Sequence, residues 1–350
     1  MGGVVSGISP YLKSVPIITL VNGKQFPAKA SETMLDAALR AGIVLEHSCK
    51  TGRCGSCKAQ LRGGSSIPLV DEVGLSQVER DAGWILTCVR WAKNDIQLDV
   101  EDLDGIRMYP AKILPCRIAA LERLSSDVLR VILRLPPNQQ LDYSPGQYLD
   151  VIGKEGLRRS YSMANAPADH KTIELHIRQV PAGAMSRYWF EEARINDLLR
   201  LYGPLGTFFL RDVSGLDLIL LATGTGIAPI KAMLEGLVAR PPGSLPRSIN
   251  VYWGGRASQD LYWNPERVGL ALRYIPVLSR GDSSWTGARG HVQQAALQSG
   301  ATLGQAVVYA CGSLAMIDSA RAQLVAAGLD GRRFYSDAFV SSSYDLKESS

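Results

Sequence analysis

Four cysteines constrain this chain more than any other feature. Cys49, Cys54, Cys57 and Cys88 spell C-x4-C-x2-C, then a long gap and a fourth cysteine. Two sulfide-bridged irons need four thiolates, three from one tight loop and one from a distant segment that closes the cage, so this is the spacing of a [2Fe-2S] cluster. The loop runs Ser48-Cys-Lys-Thr-Gly-Arg-Cys-Gly-Ser-Cys57, and Gly52 and Gly55 let its backbone approach the sulfides and aim N–H groups at sulfur. A structural zinc ion usually takes two paired C-x2-C knuckles, and only Cys54 and Cys57 pair that way. Disulfides are disfavoured because the chain shows no export signal. Zinc and disulfides stand as the alternatives.

A length of 350 residues suggests two or three domains, and we read three: 15–103 around the cysteines, 110–212 and 215–340. Residues 16–26 read as two short strands about an Asn22-Gly23 turn, and 33–41 as a helix ending near Gly42, which suits a β-grasp fold. After residue 105 the pattern changes, and 116–135 and 141–152 alternate as strands of an antiparallel β-barrel. Strands at 216–222, 249–254, 272–278 and 306–310 then alternate with helices such as 313–327, giving a doubly wound parallel sheet. The fold class is multidomain, α+β followed by α/β.

Two segments of the later domains carry chemistry. In Arg158-Arg-Ser-Tyr-Ser-Met-Ala-Asn165 the strand period places Arg159 and Tyr161 on one side. Such a face can hold a flavin, with Arg159 on its pyrophosphate, Tyr161 stacked on its ring and Ser162 near the reactive nitrogen, an ordinary exposed edge strand being the alternative. Ser160 belongs to the same contact strand. Gly183-Ala-Met-Ser186 follows a strand at 173–180 and opens a helix, so Gly183, Met185 and Ser186 can offer amides to a diphosphate, an ordinary N-cap being the alternative. Gly203-Pro-Leu-Gly-Thr-Phe208 reads as a turn. Gly224-Thr-Gly-Ile-Ala-Pro229 reads as a second phosphate turn, in which Gly224, Thr225 and Gly226 precede a helix starting at Pro229, a plain βα turn being the alternative. Pro229 replaces the third glycine of the standard dinucleotide fingerprint. Cys311-Gly312 ends a strand where a small polarisable side chain suits a nicotinamide ring, a merely buried cysteine being the alternative. His47, His170, His176 and His291 show no metal spacing and read as structural or surface residues.

Together these residues resemble the ferredoxin-NADP reductase superfamily in its oxygenase-reductase branch, over about residues 15–340. Within it, Arg159-Ser-Tyr-Ser162, Tyr252-Trp-Gly254, Tyr309-Ala-Cys-Gly-Ser-Leu-Ala-Met316 and Phe334-Tyr-Ser-Asp-Ala-Phe339 look most like the CDP-6-deoxy-Δ3,4-glucoseen reductases. Phenol and benzoate oxygenase reductases are similar too. The resemblance implies FAD held by Arg159, Tyr161, Ser162 and the 183–186 turn, nicotinamide contacts from Thr225, Gly226 and Cys311, and Phe339 as an aromatic cover on the flavin. Ser162, Cys311 and Phe339 then flank the hydride path. It also implies NADH, with NADPH as the second option. The electron acceptor that the resemblance implies is a pyridoxamine-phosphate-dependent sugar dehydrase or an oxygenase component. Thr223 departs from the glycine that many relatives carry.

Charge and hydropathy remove other classes. Net charge is +5, yet residues 1–105 hold eleven basic against twelve acidic side chains, so the excess lies beyond them. No basic run is interleaved with aromatics as nucleic-acid binding requires. The longest apolar run, 216–222, contains Asp217 and falls far below the roughly 20 residues that span a bilayer. With no leader, a cytoplasmic protein is expected. Lys50, Arg53 and Lys58 ring the cysteine loop and suggest an acidic acceptor. A non-catalytic zinc-binding interaction module is the remote alternative.

Overall fold

The computed structural model describes residues 15–106, 108–153, 156–167, 171–300 and 302–340. The chain forms two compact units, one up to residue 106 and one from residue 107. Among the described residues no helix is long and apolar enough to cross a membrane.

In the first unit five strands lie in the order Gln25–Pro27, Ile17–Leu20, Ile96–Asp99, Lys58–Gly63, Trp84–Leu86. Ile17–Leu20 runs antiparallel to Gln25–Pro27 and parallel to Ile96–Asp99, a mixed sheet of β-grasp type. The hairpin turns where Gly23 takes φ 82°, a conformation glycine adopts without a Cβ clash. The helix Met34–Arg40 is capped by Thr33, whose hydroxyl accepts from the Asp36 amide at 3.0 Å. It buries Met34, Leu35, Ala37 and Ala38 in a core with Ile18, Phe26, Leu86 and Ile96.

In the second unit a six-stranded antiparallel sheet runs Arg158–Ser162, Tyr148–Ile152, Leu198–Leu205, Lys112–Arg123, Val128–Arg134, Thr172–Arg178. A bridge between Met163 and Leu175 links its two edges, so the sheet curls almost into a barrel around Ile118, Val131, Leu149 and Leu175. Only Tyr148–Ile152 of the expected strand 141–152 is extended, because Ser144-Pro-Gly-Gln147 turns: the Gln147 amide donates to Ser144 O at 3.1 Å and Gly146 sits at φ 109°. Gly203 to Leu205, expected in a turn, completes the strand Leu198–Leu205; a Cβ on Gly203 would lie 2.8 Å from that of Leu149.

The other sheet of this unit has six strands in the order Ala288–Arg289, Arg273–Leu278, Ser248–Gly255, Asp217–Thr223, Ala306–Gly312, Phe334–Ala338, all parallel. Leu218 through Ala222 are wholly buried, as a strand covered on both faces must be. Strand order reverses at Asp217–Thr223, so the topological switch point lies at its carboxyl end. The helix that follows is Ile227–Val238, two residues earlier than expected; Pro229 still falls in its first turn, where a missing N–H leaves no bond unmade.

That helix also joins the two sheets. Gly146 is pressed against Phe208 O and Met233 Cε, and Gly236 against Pro145. Beside this contact lies a buried ionic group. Glu174, on Thr172–Arg178, accepts from His176 Nε2 at 2.8 Å and Arg130 Nη2 at 3.1 Å, with Lys231 Nζ 3.4 Å away. Burial pushes its carboxyl up, but the His176 and Arg130 hydrogen bonds and the Lys231 charge override burial and hold it at about 2. Burial drives His176 below the ordinary histidine value against the pull of Glu174. The neutral ring donates through Nε2 to Glu174, and Nδ1 accepts from Tyr262 Oη at 3.2 Å.

Two outcomes follow from this packing. A Cβ at Gly146 meets both left-handed strain and two close neighbours, so Gly146→Ala destabilises the chain by roughly 2–5 kcal/mol in denaturant unfolding. His176 has a folded pKa below its unfolded one, so its stabilisation is complete above about pH 6.5 and is lost as pH falls through the folded value. The drop in thermal midpoint from pH 7.5 to 5.5 is therefore smaller in His176→Gln than in the parent, and equal drops would exclude this group as the source.

Candidate functional site

Cys54, Cys57 and Cys88 are buried and Cys49 is partly so, and all six cysteines of the chain are free. Their loop is held open by left-handed residues, with Lys50 at φ 56° and Gly52 and Gly55 both at 74°. A side chain at Gly52 would press on Asp71 O at 3.0 Å, and the Gly74 amide donates to Gly52 O at 2.8 Å, so the loop is laced to residues 71–74. The Thr51 amide donates to Cys49 Sγ at 3.4 Å. The sulfurs fall into two pairs. A hydrogen bond from Cys54 pulls the Cys49 thiol down to about 5 and pushes Cys54 up; Cys57 and Cys88 show the same split, with Cys88 lowered. Among the described residues no three His, Cys, Asp or Glu side chains converge as a single ion needs. Two sulfur pairs in a loop crowded by backbone suit two bridged irons. The cations expected to ring this loop are partly matched: Lys50 pairs with Asp36 at 2.9 Å and Lys58 with Glu79 at 2.6 Å.

On the strand Arg158–Ser162, alternation divides the residues expected to act together. Arg158 Nε and the Ser160 hydroxyl both donate to Asp150, at 2.6 and 2.5 Å. Ser160 is therefore turned away from the side that holds Arg159 and Tyr161. Ser162 shares the side of Ser160, at the buried end of the strand. Tyr161 Oη accepts from Trp189 Nε1 at 3.1 Å, and the two rings meet edge-on at 6.3 Å. Burial raises the Tyr161 phenol, so it stays protonated. Gly183 caps the short helix Ala184–Arg187, which runs on into a π-helical turn Tyr188–Glu192. Its first-turn amides lack intrahelical acceptors, which suits an anion. The Ser186 hydroxyl accepts from the Val180 amide at 2.7 Å, and Met185 is buried against Gly153.

The second turn is a crowded cradle. A Cβ on Gly224, at φ 54°, would meet Arg178 Nη1 at 2.6 Å; one on Gly226 would strike Cys311 O; one on Gly312 would strike the Thr223 hydroxyl. The absent Cβ of Gly312 thus accommodates Thr223, whose hydroxyl accepts from the Ser313 amide at 3.3 Å. Trp253 Nε1 donates to Gly224 O at 2.9 Å, and the Phe339 amide to Gly312 O at 2.8 Å. Gly224, Thr225, Gly226, Cys311, Gly312 and Phe339 are thereby brought to one edge of the parallel sheet. Only backbone carries Cys311 there: its side chain is wholly buried among the core residues and its thiol is pushed well up by that burial. Phe339 is 40% exposed. Asp260 accepts from the Arg256 and Ala257 amides at 2.7 and 3.2 Å.

Sequence reasoning missed Asp150, Trp189, Glu174, Lys231 and Tyr262, and assigned His176 no role. One signal was present: Glu174 and His176 alternate with Ile173, Leu175 and Ile177 in a strand buried on both sides.

Three domain families match in succession: a 2Fe-2S iron-sulfur cluster binding domain over residues 19–93, an oxidoreductase FAD-binding domain over 115–210 and an oxidoreductase NAD-binding domain over 220–322. The CDP-6-deoxy-L-threo-D-glycero-4-hexulose-3-dehydrase reductase of Yersinia pestis is 42% identical, over 92% of this chain and 97% of its own. The ferredoxin–NAD(P)+ reductase component of the Pseudomonas putida naphthalene 1,2-dioxygenase system is 30% identical over 91% and 96%. The crystal structure of an Amycolatopsis cytochrome P450 reductase superposes with a TM-score of 0.72 at 28% identity, over 93% of this chain and 99% of that one. The chain belongs to the family of NAD(P)H-dependent iron-sulfur flavoprotein reductases, in which a [2Fe-2S] domain precedes FAD-binding and NAD-binding oxidoreductase domains.

Proposed function

We propose that this reductase takes electrons from NADH and delivers them to a pyridoxamine-phosphate-dependent dehydrase acting on a CDP-linked 6-deoxyhexulose, in the cytoplasm. The observation that carries this reading is the 42% identity, over 92% of the chain, to a reductase named for a CDP-6-deoxyhexulose 3-dehydrase, against 30% for a dioxygenase reductase component. An oxygenase component is the second reading, favoured by the same fused domains in that relative.

The domains are taken as 15–103, 110–212 and 215–340. Bound FAD supplies the exchange between a two-electron nicotinamide and a one-electron [2Fe-2S] centre. Cys49, Cys54, Cys57 and Cys88 hold the cluster. Arg159 and the amides of Met185 and Ser186 bind the FAD diphosphate, Gly183 holds the turn with its amide on Val180 O at 3.1 Å, and Tyr161, steadied by Trp189, offers its ring. Ser162 meets the site through its backbone, its side chain lying on the other side with that of Ser160, which supports the strand through Asp150. Gly224, Thr225, Gly226 and the Pro229 turn bind the pyridine dinucleotide, with Cys311 and Gly312 forming the wall behind the nicotinamide. Phe339, held by its backbone to Gly312, covers the ring site. Enclosed in the core and protonated, the Cys311 thiol presents no nucleophile to the nicotinamide, and its backbone forms the wall.

Purified reductase, dehydrase and CDP-4-keto-6-deoxyhexose are mixed with NADH under argon; NADH oxidation that requires both dehydrase and sugar is the expected result. Turnover only with a Rieske or di-iron oxygenase component would move the assignment to the second reading. Arg159→Ala is expected to weaken FAD retention by roughly 10- to 100-fold, the loss of one charged hydrogen bond. Cys57→Ser removes or shifts the cluster's visible bands, whereas Cys116→Ser keeps them.

A further inference from the structure

The helix that begins at the Gly224–Gly226 turn grips the flavin barrel just beyond the flavin strand. Lys231 Nζ donates to Ala164 O at 2.9 Å and pairs with Glu235 Oε1 at 2.6 Å, while Glu235 Oε2 accepts from the Ala166 amide at 2.9 Å. Both ends of the segment following Ser162 and Met163 are therefore held by one face of one helix, four residues apart in sequence. Lys231 also faces Glu174 at 3.4 Å, and the Glu174 amide donates to Asn165 Oδ1 at 2.8 Å within the gripped segment.

A second arm reaches the same turn from the other side. Tyr262 Oη meets His176 at 3.2 Å, and its ring lies edge-on to Trp253 at 5.0 Å. The Trp253 indole holds Gly224 O. Both arms start from Glu174, one through Lys231 and one through His176, and both end on the turn or on the helix that leaves it.

Stability does not account for this cluster, because taking such charges out of water roughly cancels their attraction and an apolar replacement is commonly as stable. What a buried, directional set of bonds adds is a fixed spacing. We propose that Lys231 and Tyr262, acting through Glu174 and His176, are positioning residues that set the distance between the flavin strand and the nicotinamide turn for hydride transfer. The inference rests on the flavin and nucleotide sites proposed above.

The test compares parent, Lys231→Met and Tyr262→Phe as FAD-loaded full chains. Lys231→Met keeps the stem and removes the charge; Tyr262→Phe removes one hydroxyl and serves if the first variant folds poorly. Anaerobic stopped-flow with NADH and its 4-deuterated form is expected to show flavin bleaching slowed about 10- to 100-fold in Lys231→Met and about 3- to 10-fold in Tyr262→Phe, with a larger isotope effect. NADH affinity stays within about twofold and FAD content is retained. Hydrogen exchange at residues 163–166 and 224–230 rises in both variants, a readout independent of turnover. Unchanged bleaching in folded, FAD-loaded variants, or a loss confined to NADH affinity, overturns the proposal. Failure of NADH to bleach the parent would instead overturn the sites on which it rests.

Discussion

Two electrons leave a nicotinamide together, and a [2Fe-2S] centre takes one at a time. That mismatch requires a flavin between them, and three groups of such different chemistry require three kinds of protein surface. The cluster needs thiolates on a loop with little side-chain bulk, which Gly52, Gly55 and Gly74 provide. The flavin needs an anion site and an aromatic face, and the barrel offers a helix N-terminus at Gly183 and the Tyr161 ring, the surfaces proposed for it. The dinucleotide needs a strand end where backbone can approach phosphate, and here the parallel sheet reverses order at Thr223.

Within the second unit the flavin and dinucleotide surfaces are held together from opposite directions. Small residues allow close approach: Gly146 admits Met233, Gly236 admits Pro145, and Gly224 admits Arg178. Charged residues then restrict how that approach is made, because Glu174 is buried and needs Arg130, His176 and Lys231 in place. Apolar contact tolerates sliding, whereas a buried carboxylate with three partners does not.

The legible parts of this chain were those where local chemistry dictates local spacing. Iron ligation fixes C-x4-C-x2-C, a tight hairpin wants Asn22-Gly23, and a strand running into Gly224-Thr-Gly226 and a helix has the form of a phosphate turn. The β-grasp, barrel and parallel-sheet classes were legible for the same reason, from strand periods and turns. Pro145-Gly146 was in plain view but lay inside a segment of alternating apolar and polar residues, and periodicity outweighed it, so one strand was read too long. Ser160 was grouped with its neighbours because a four-residue motif does not say which side pairs with Asp150. Glu174 and His176 could not be interpreted alone, since Arg130, Lys231 and Tyr262 lie on other elements far along the chain and only folding brings them into contact. Cys311 shows the same limit: its position at a strand end was legible, the enclosure of its thiol was not.

The order of electron flow is the central claim, and rapid freeze-quench electron paramagnetic resonance with parallel visible spectra tests it most directly. One equivalent of NADH is mixed anaerobically with the full chain. Loss of flavin absorbance that precedes a reduced iron-sulfur signal, rising toward one spin per chain, is the predicted result. A flavin that bleaches with no iron-sulfur signal, or a chain prepared without oxygen that holds zinc in place of iron, would contradict it.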